Sequence, residues 1–196
     1  MNPKHIIKTH RHLPHWKREG ATYWITFRLA DSLPKTKLAS WKRERDIWLH
    51  WNPPPWDPDT RDAYQRLFGE RLEYWLDAGY GSCVLRRRDC RECVRNCLMR
   101  FQNERLCIHH GVIMPNHVHL LLEPLQGEDI STLLKGIKGA SGRGCNSNLH
   151  SRGTFWMDES YDHIVRDREE YAHYVRYIDS NPKKAKLREG EFCFVP

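Results

Sequence analysis

The 196-residue chain has 39% hydrophobic residues, a mean hydropathy of −0.77 and a formal net charge of +7, with a pI near 9.1. This suits one domain with a real core, its large buried areas supplied by eight Trp, eight Tyr and six Phe. A membrane-spanning helix is not expected because no apolar run approaches spanning length, while the basic balance favours a polyanionic partner without naming it.

The opening MNPKHIIKTHRHLPHWKREG lacks the apolar core of a signal peptide. The expected location is therefore the cytoplasm, with the seven cysteines present as reduced thiols. Residues 1–20, with Lys8, Arg11, Lys17 and Arg18, read as a basic arm that either follows a phosphate backbone or is simply solvated. Residues 21–29 (ATYWITFRL) predict a buried strand. Residues 37–50 predict a helix, broken by Pro53, Pro54 and Pro55. Residues 58–76 predict another, with Tyr64, Leu67, Phe68, Leu72 and Trp75 at helical spacing. The stretch of about 37–77 is read as a helical elaboration of the single domain, its helices core scaffold.

A short apolar piece at 82–85 precedes an amphipathic helix with Val94, Leu98 and Phe101 on one face. Residues 105–123 (RLCIHHGVIMPNHVHLLLE) predict two antiparallel strands meeting near Met114-Pro115-Asn116. A helix is expected over about 129–146, carrying Lys135 and Lys138, with Arg143 near its uncertain end. The last helix, about 167–180, opens with Asp167, Glu169 and Glu170 at its positive end and is expected to stop before Pro182.

His117-Val118-His119 places two imidazoles two residues apart on an apolar strand, where they share a face and can reach one ion. Twelve histidines give one such spacing by chance, roughly. His10-Arg11-His12 is that kind of pair, in a basic arm without apolar context. At 117 and 119 burial of both rings is costly unless something satisfies them, and a metal does. His109 and His110 alternate faces and read as ordinary polar residues. For an oxygen donor, Tyr177 and Asn181 stand four apart, on one side of the last helix. Packed over the His strand, that helix would give one ion two imidazoles and an amide, leaving positions open for a phosphate that a tyrosine could attack. Nitrogen and oxygen donors suit Mn²⁺ or Mg²⁺, with Zn²⁺ also admissible. Spacing does not choose among Tyr161, Tyr171, Tyr174 and Tyr177, and a helix tyrosine is ordinarily an amphipathic core residue.

Leu13-Pro14-His15-Trp16, Tyr23-Trp24-Ile25-Thr26-Phe27-Arg28, Met114-Pro115-Asn116-His117-Val118-His119-Leu120-Leu121, Phe155-Trp156, Tyr161-Asp162 and Tyr177-Ile178-Asp179-Ser180-Asn181-Pro182 closely resemble, in this order, the REP-associated tyrosine transposases. These are single-tyrosine HUH transposases of the IS200-like superfamily, and the resemblance runs from about residue 13 to 187. It implies an α+β, ferredoxin-like sandwich with a central antiparallel sheet flanked by helices. It implies Tyr177 as nucleophile, and His117, His119 and Asn181 as ligands of Mg²⁺ or Mn²⁺. The implied activity is cleavage and rejoining of single-stranded DNA hairpins, beside a short guide tetranucleotide, through a 5′-phosphotyrosine, by a monomer or homodimer. Lys8, Arg11, Lys17, Arg18, Arg28, Lys135, Lys138 and Arg143 become candidates for DNA contact, against a reading as solvated charge. Trp156 could stack on a base, although a core or loop-anchoring role is the more usual one.

Relatives commonly continue past the point where this chain ends, at Phe192-Cys193-Phe194-Val195-Pro196. The shorter end is expected to weaken hairpin recognition and to spare the metal and nucleophile. Two rival readings are a zinc site built from Cys90, Cys93 and Cys97 with Cys83 or a histidine, and a DNA-binding protein without catalysis.

Overall fold

The computed structural model describes residues 7–11, 13–17 and 20–196. The basic arm is a two-stranded antiparallel hairpin, β1 (Ile7–Arg11) and β2 (Leu13–Lys17), rather than an unpaired tail. It carries the backbones of Lys8, Arg11 and Lys17, whereas Arg18 lies outside the described residues.

β3 (Tyr23–Arg28) is buried at all six positions, as the aromatic and β-branched run predicts for a strand covered on both faces. It pairs antiparallel with β5 (His117–Pro124) on one side and β6 (Tyr161–Ile164) on the other. β5 in turn pairs with β4 (Leu106–Ile113), and β4 with β7 (Cys193–Val195), giving a five-stranded order β6-β3-β5-β4-β7. The turn at Met114, Pro115 and Asn116 joins β4 to β5, where proline and asparagine punctuation placed it.

With α4 (Arg88–Met99) and α5 (Ile130–Asn148), the sequence β3-α4-β4-β5-α5-β6 is the split βαβ arrangement of ferredoxin-like folds. Period-two alternation divides the sheet. Tyr23, Ile25, Phe27, Val118, Leu120 and Leu122 point into a core with Val94 and Leu98 of α4 and Leu133, Leu134 and Ile137 of α5. The opposite face, with Trp24, Val112 and Leu121, is covered by Tyr174 and Ile178 of α6 (Arg168–Lys184). Phe101 falls beyond the end of α4, so the stripe on that helix ends at Leu98, and residues 84–86 are a single 3-10 turn with Leu85 fully buried.

Trp156 belongs to the first core, 5% exposed, with its indole N–H donating to Ser141 Oγ at 2.9 Å. α6 does not stop before Pro182 but runs through it to Lys184. A proline deletes one N–H, and so close to the terminus the loss stays local: Ala185 N still donates to Asn181 O and Leu187 N to Pro182 O. Tyr177 and Asn181 therefore sit on true helical backbone, one turn apart.

Between β3 and α4 lie α1 (Lys35–Trp51), α2 (Pro58–Tyr64), a π-helical stretch Gln65–Gly69 and α3 (Glu70–Asp77). The helix expected across 58–76 is thus interrupted by wider turns, a device that rotates the faces of a helix relative to each other. Trp41, Tyr64 and Phe68 form the small core of this segment, with Trp48 and Trp56 packed on it. Among the described residues, no helix is long and apolar enough to cross a membrane.

Candidate active site

His117 and His119 lie on the α6 face of β5, both fully buried. Across the β3–β5 pair, Thr26 stands opposite His119, and its Oγ1 lies 2.8 Å from His119 Nδ1. Asn116 fixes the neighbouring ring. Its Nδ2 donates to Leu76 O at 3.3 Å and Tyr80 O at 3.0 Å, so its Oδ1 must be the acceptor 2.7 Å from His117 Nδ1. That assigns the proton of His117 to Nδ1 and leaves Nε2 with a bare lone pair.

His117 Nε2, His119 Nε2 and both amide atoms of Asn181 are buried without a hydrogen-bond partner. Leaving one such group unpaired costs about 1–3 kcal/mol, and four in one place call for a ligand. Burial lowers the His117 pKa to about 3 and holds that of His119 well below the ordinary value, the second ring also opposed by the first. Both imidazoles are therefore neutral, the form that binds metal. The donor set of two imidazole nitrogens and an amide oxygen fits a divalent ion, and His117, His119 and Asn181 would hold it. Among the described residues, no group of three or more His, Cys, Asp or Glu side chains is already arranged to hold a metal ion.

Tyr177 packs edge-on against His119, with ring centroids 5.4 Å apart, and edge-on against Trp24 at 5.5 Å. Trp24 is itself stacked between His119 at 4.8 Å and Tyr174 at 4.5 Å. The aromatic block sets the distance between β5 and α6 and orients the Tyr177 ring. Tyr174 is spent on this packing, 7% exposed. Lys184 Nζ lies 4.8 Å from the Tyr177 ring centroid.

Sequence reasoning missed the contribution of α3. Glu73 lies near Tyr177, and Asp77 stands 3.9 Å from His117 Nε2. Their i,i+4 spacing is a readable acidic stripe, but the apolar periodicity of the same segment predicts core scaffold. Burial raises the Glu73 carboxyl to about 7, with Asp77 and Glu70 adding and the Tyr177 and Trp24 donors opposing. Burial raises Asp77 to about 6, against Lys184 and the nearby Asn181 amide. Burial, reinforced by Glu73 and Asp77, pushes the Tyr177 phenol far above its ordinary value. Asn116 and Thr26 were likewise missed, Asn116 having been read only as turn punctuation.

The Glu73 shift has a consequence for stability. Its folded pKa exceeds its ordinary 4.5, so the fold binds more protons than the unfolded chain between about pH 4.5 and 7, and stability falls as pH rises through that window. Glu73→Gln in EDTA is expected to melt close to wild type at pH 5 and above it at pH 8, by an amount on the order of 3 kcal/mol at most. Superimposable melting profiles across pH would contradict this.

The DNA-contact candidates scatter. Arg28 is buried opposite His117, with Nη1 donating to Ser32 Oγ at 3.1 Å and its pKa lowered by burial to about 10. It is an internal strut rather than a surface contact. Lys138 is engaged with Asp158 O at 2.7 Å and Ser160 Oγ at 3.0 Å. Lys135 and Arg143 are exposed on α5, which covers the sheet face opposite the histidines. His109 and His110 are paired with Glu123 at 3.1 Å and Asp179 at 2.8 Å, as expected of ordinary polar residues.

Cys90, Cys93, Cys97 and Cys145 neighbour one another along the α4–α5 contact, but among the described residues no group of three or more His, Cys, Asp or Glu side chains could hold a metal ion. Cys90 and Cys145 pack between α4 and α5, while Cys83 donates to Gly79 O at 3.3 Å. Burial raises the pKa of Cys83, Cys90 and Cys97, which disfavours the thiolate that zinc requires.

Comparison with known proteins agrees with this arrangement. The sequence profile described as "Transposase IS200 like" matches residues 83–181, just over half of the chain, including His117, His119, Tyr177 and Asn181. The REP-associated tyrosine transposase of Escherichia coli K12 is 26% identical over 93 residues, 46% of this chain and 53% of the relative. The match thus spans about half the length of that relative. The solved structure of a REP-associated tyrosine transposase bound to a REP hairpin superposes with a TM-score of 0.50 at 15% identity, over 93% of this chain and 77% of that one, which establishes the shared fold. The chain belongs to the IS200-like transposase family.

Proposed function

We propose that the protein is a metal-dependent tyrosine strand transferase that binds single-stranded DNA hairpins, cleaves beside them and rejoins the ends. The observation that carries this reading is the set of unpartnered buried donors, His117 Nε2, His119 Nε2 and the Asn181 amide, one ring contact away from Tyr177. A Mg²⁺ or Mn²⁺ ion in that set supplies a Lewis acid that polarises the scissile phosphate.

The remaining steps belong to the chain. Trp24 and His119 hold the Tyr177 ring, and Glu73, whose carboxyl interacts with Tyr177, would take the proton from Tyr177 Oη. The phenolic oxygen attacks phosphorus, the P–O3′ bond breaks, the departing O3′ takes a proton from solvent, and a 5′-phosphotyrosine forms with a free 3′-hydroxyl. Attack by a 3′-hydroxyl reverses the sequence and returns the proton to Tyr177. Because the phosphodiester energy is kept in the tyrosyl ester, joining needs no nucleotide cofactor. The active unit is proposed as a monomer or homodimer acting in the cytoplasm.

Incubation with end-labelled hairpins resembling repetitive extragenic palindromes, in Mn²⁺ or Mg²⁺, is expected to yield a covalent adduct stable to denaturation. EDTA should abolish the adduct and added metal should restore it. Tight hairpin binding with no adduct under any metal would favour a DNA-binding protein without catalysis.

A further inference from the structure

We propose that Asp77 is a fourth ligand of the ion, so that metal is held before DNA arrives. This rests on the assignment of His117, His119 and Asn181 as ligands. Those three donors carry no charge, and a divalent cation in a buried site needs negative charge close by. Asp77 Oδ1 is buried, has no hydrogen-bond partner, and lies 3.9 Å from His117 Nε2, itself unpartnered. Two ligands each about 2.1 Å from one ion stand roughly 3 to 4 Å apart, depending on the angle between them. The carboxylate is thus at ligand spacing from one imidazole and completes the approach to the ion by turning about its own side-chain bonds.

A second observation comes from Asn116. Its amide donates to Leu76 O and Tyr80 O, which flank Asp77 in sequence, and accepts from His117 Nδ1. One buried side chain therefore ties the end of α3 to the metal-binding strand and fixes Asp77 relative to His117. Without a role for Asp77 in the site, this link would hold a buried carboxylate beside bare imidazole lone pairs for no gain. α3 also lies outside residues 83–181, the span matched by the family profile. Carboxylate in place of water hardens the site and favours Mn²⁺ and Mg²⁺ over softer ions.

The test is Mn²⁺ affinity of the DNA-free protein, measured by calorimetry and by loss of the free-ion EPR signal, with no turnover involved. Asp77→Asn is expected to weaken binding at least about tenfold. Glu73→Gln, which removes a neighbouring carboxyl that is not a ligand, is expected to change it less than about threefold. Equal affinity in Asp77→Asn and wild type would overturn the Asp77 assignment alone. Equal weakening by both substitutions would also overturn it, since only general charge would then be at work. If wild type itself binds no Mn²⁺, the three-donor reading fails first. Asp77→Ser serves as the second variant should the asparagine protein not fold, a point checked by melting in EDTA.

Discussion

Tyr177→Phe is expected to eliminate the covalent protein–DNA adduct, lowering cleavage by at least about a thousandfold, while hairpin affinity stays within about threefold of wild type. The substitution removes only the phenolic oxygen. The ring keeps its edge contacts with His119 and Trp24, and Lys184 keeps its place over the ring face, so neither the sheet nor α6 has reason to move. One buried carboxyl, Glu73, loses a donor, and with its pKa already near 7 it adapts by staying protonated. Tyr174→Phe is the matched control. Tyr174 lies on the same helix one turn earlier, but it is flat against Trp24 at 4.5 Å and serves the aromatic block, so its variant should still form adduct. An adduct with the Tyr177→Phe protein would remove Tyr177 from the mechanism. Loss of adduct in both variants would show that packing, not nucleophilicity, was being measured.

The contrast between these two tyrosines also shows how far the sequence could be read. The paired strands about Pro115 and the shared face of His117 and His119 follow from period-two patterning and one proline, both local signals. The central antiparallel sheet follows from the ferredoxin-like resemblance, while the strand order β6-β3-β5-β4-β7 comes from long-range pairing that no local signal carries. Spacing along α6 could not choose Tyr177 over Tyr174, because both lie within a turn of each other. What separates them is their contact with Trp24, one face-on and the other edge-on, a property of how β3 meets α6.

The roles of α3 were hidden for the same reason. The i,i+4 pair Glu73 and Asp77 is visible in the sequence, but nothing local to it says that Asp77 faces a strand beginning forty residues downstream. Arg28 and Lys138 misled in the opposite direction. A basic residue is usually solvated, yet one is buried in the sheet and the other is held by Asp158 and Ser160.

His119→Phe is expected to separate the stability of the fold from its chemistry. Phenylalanine preserves the stack on Trp24 and removes a buried Nε2 that has no partner, while leaving Thr26 Oγ1 without the 2.8 Å bond to Nδ1. Relief of one unpaired group and creation of another nearly offset each other, each being worth about 1–3 kcal/mol. In EDTA the variant should therefore melt within about 1–2 kcal/mol of wild type, at neutral pH where both imidazoles of the native site are uncharged. In Mn²⁺ the two proteins should part. Wild type is expected to gain about 2.7 kcal/mol at an ion concentration a hundred times its dissociation constant, and the variant almost nothing. Adduct formation should fall by about a thousandfold or more in His119→Phe, and also in His117→Ala, with hairpin binding retained because phosphate contacts are spread over the surface. A variant that keeps the Mn²⁺-induced gain would show that the ion sits elsewhere. A variant that unfolds in EDTA would show that the Nε2 lone pair is satisfied by the protein, and the buried donors would then be ordinary core polar groups.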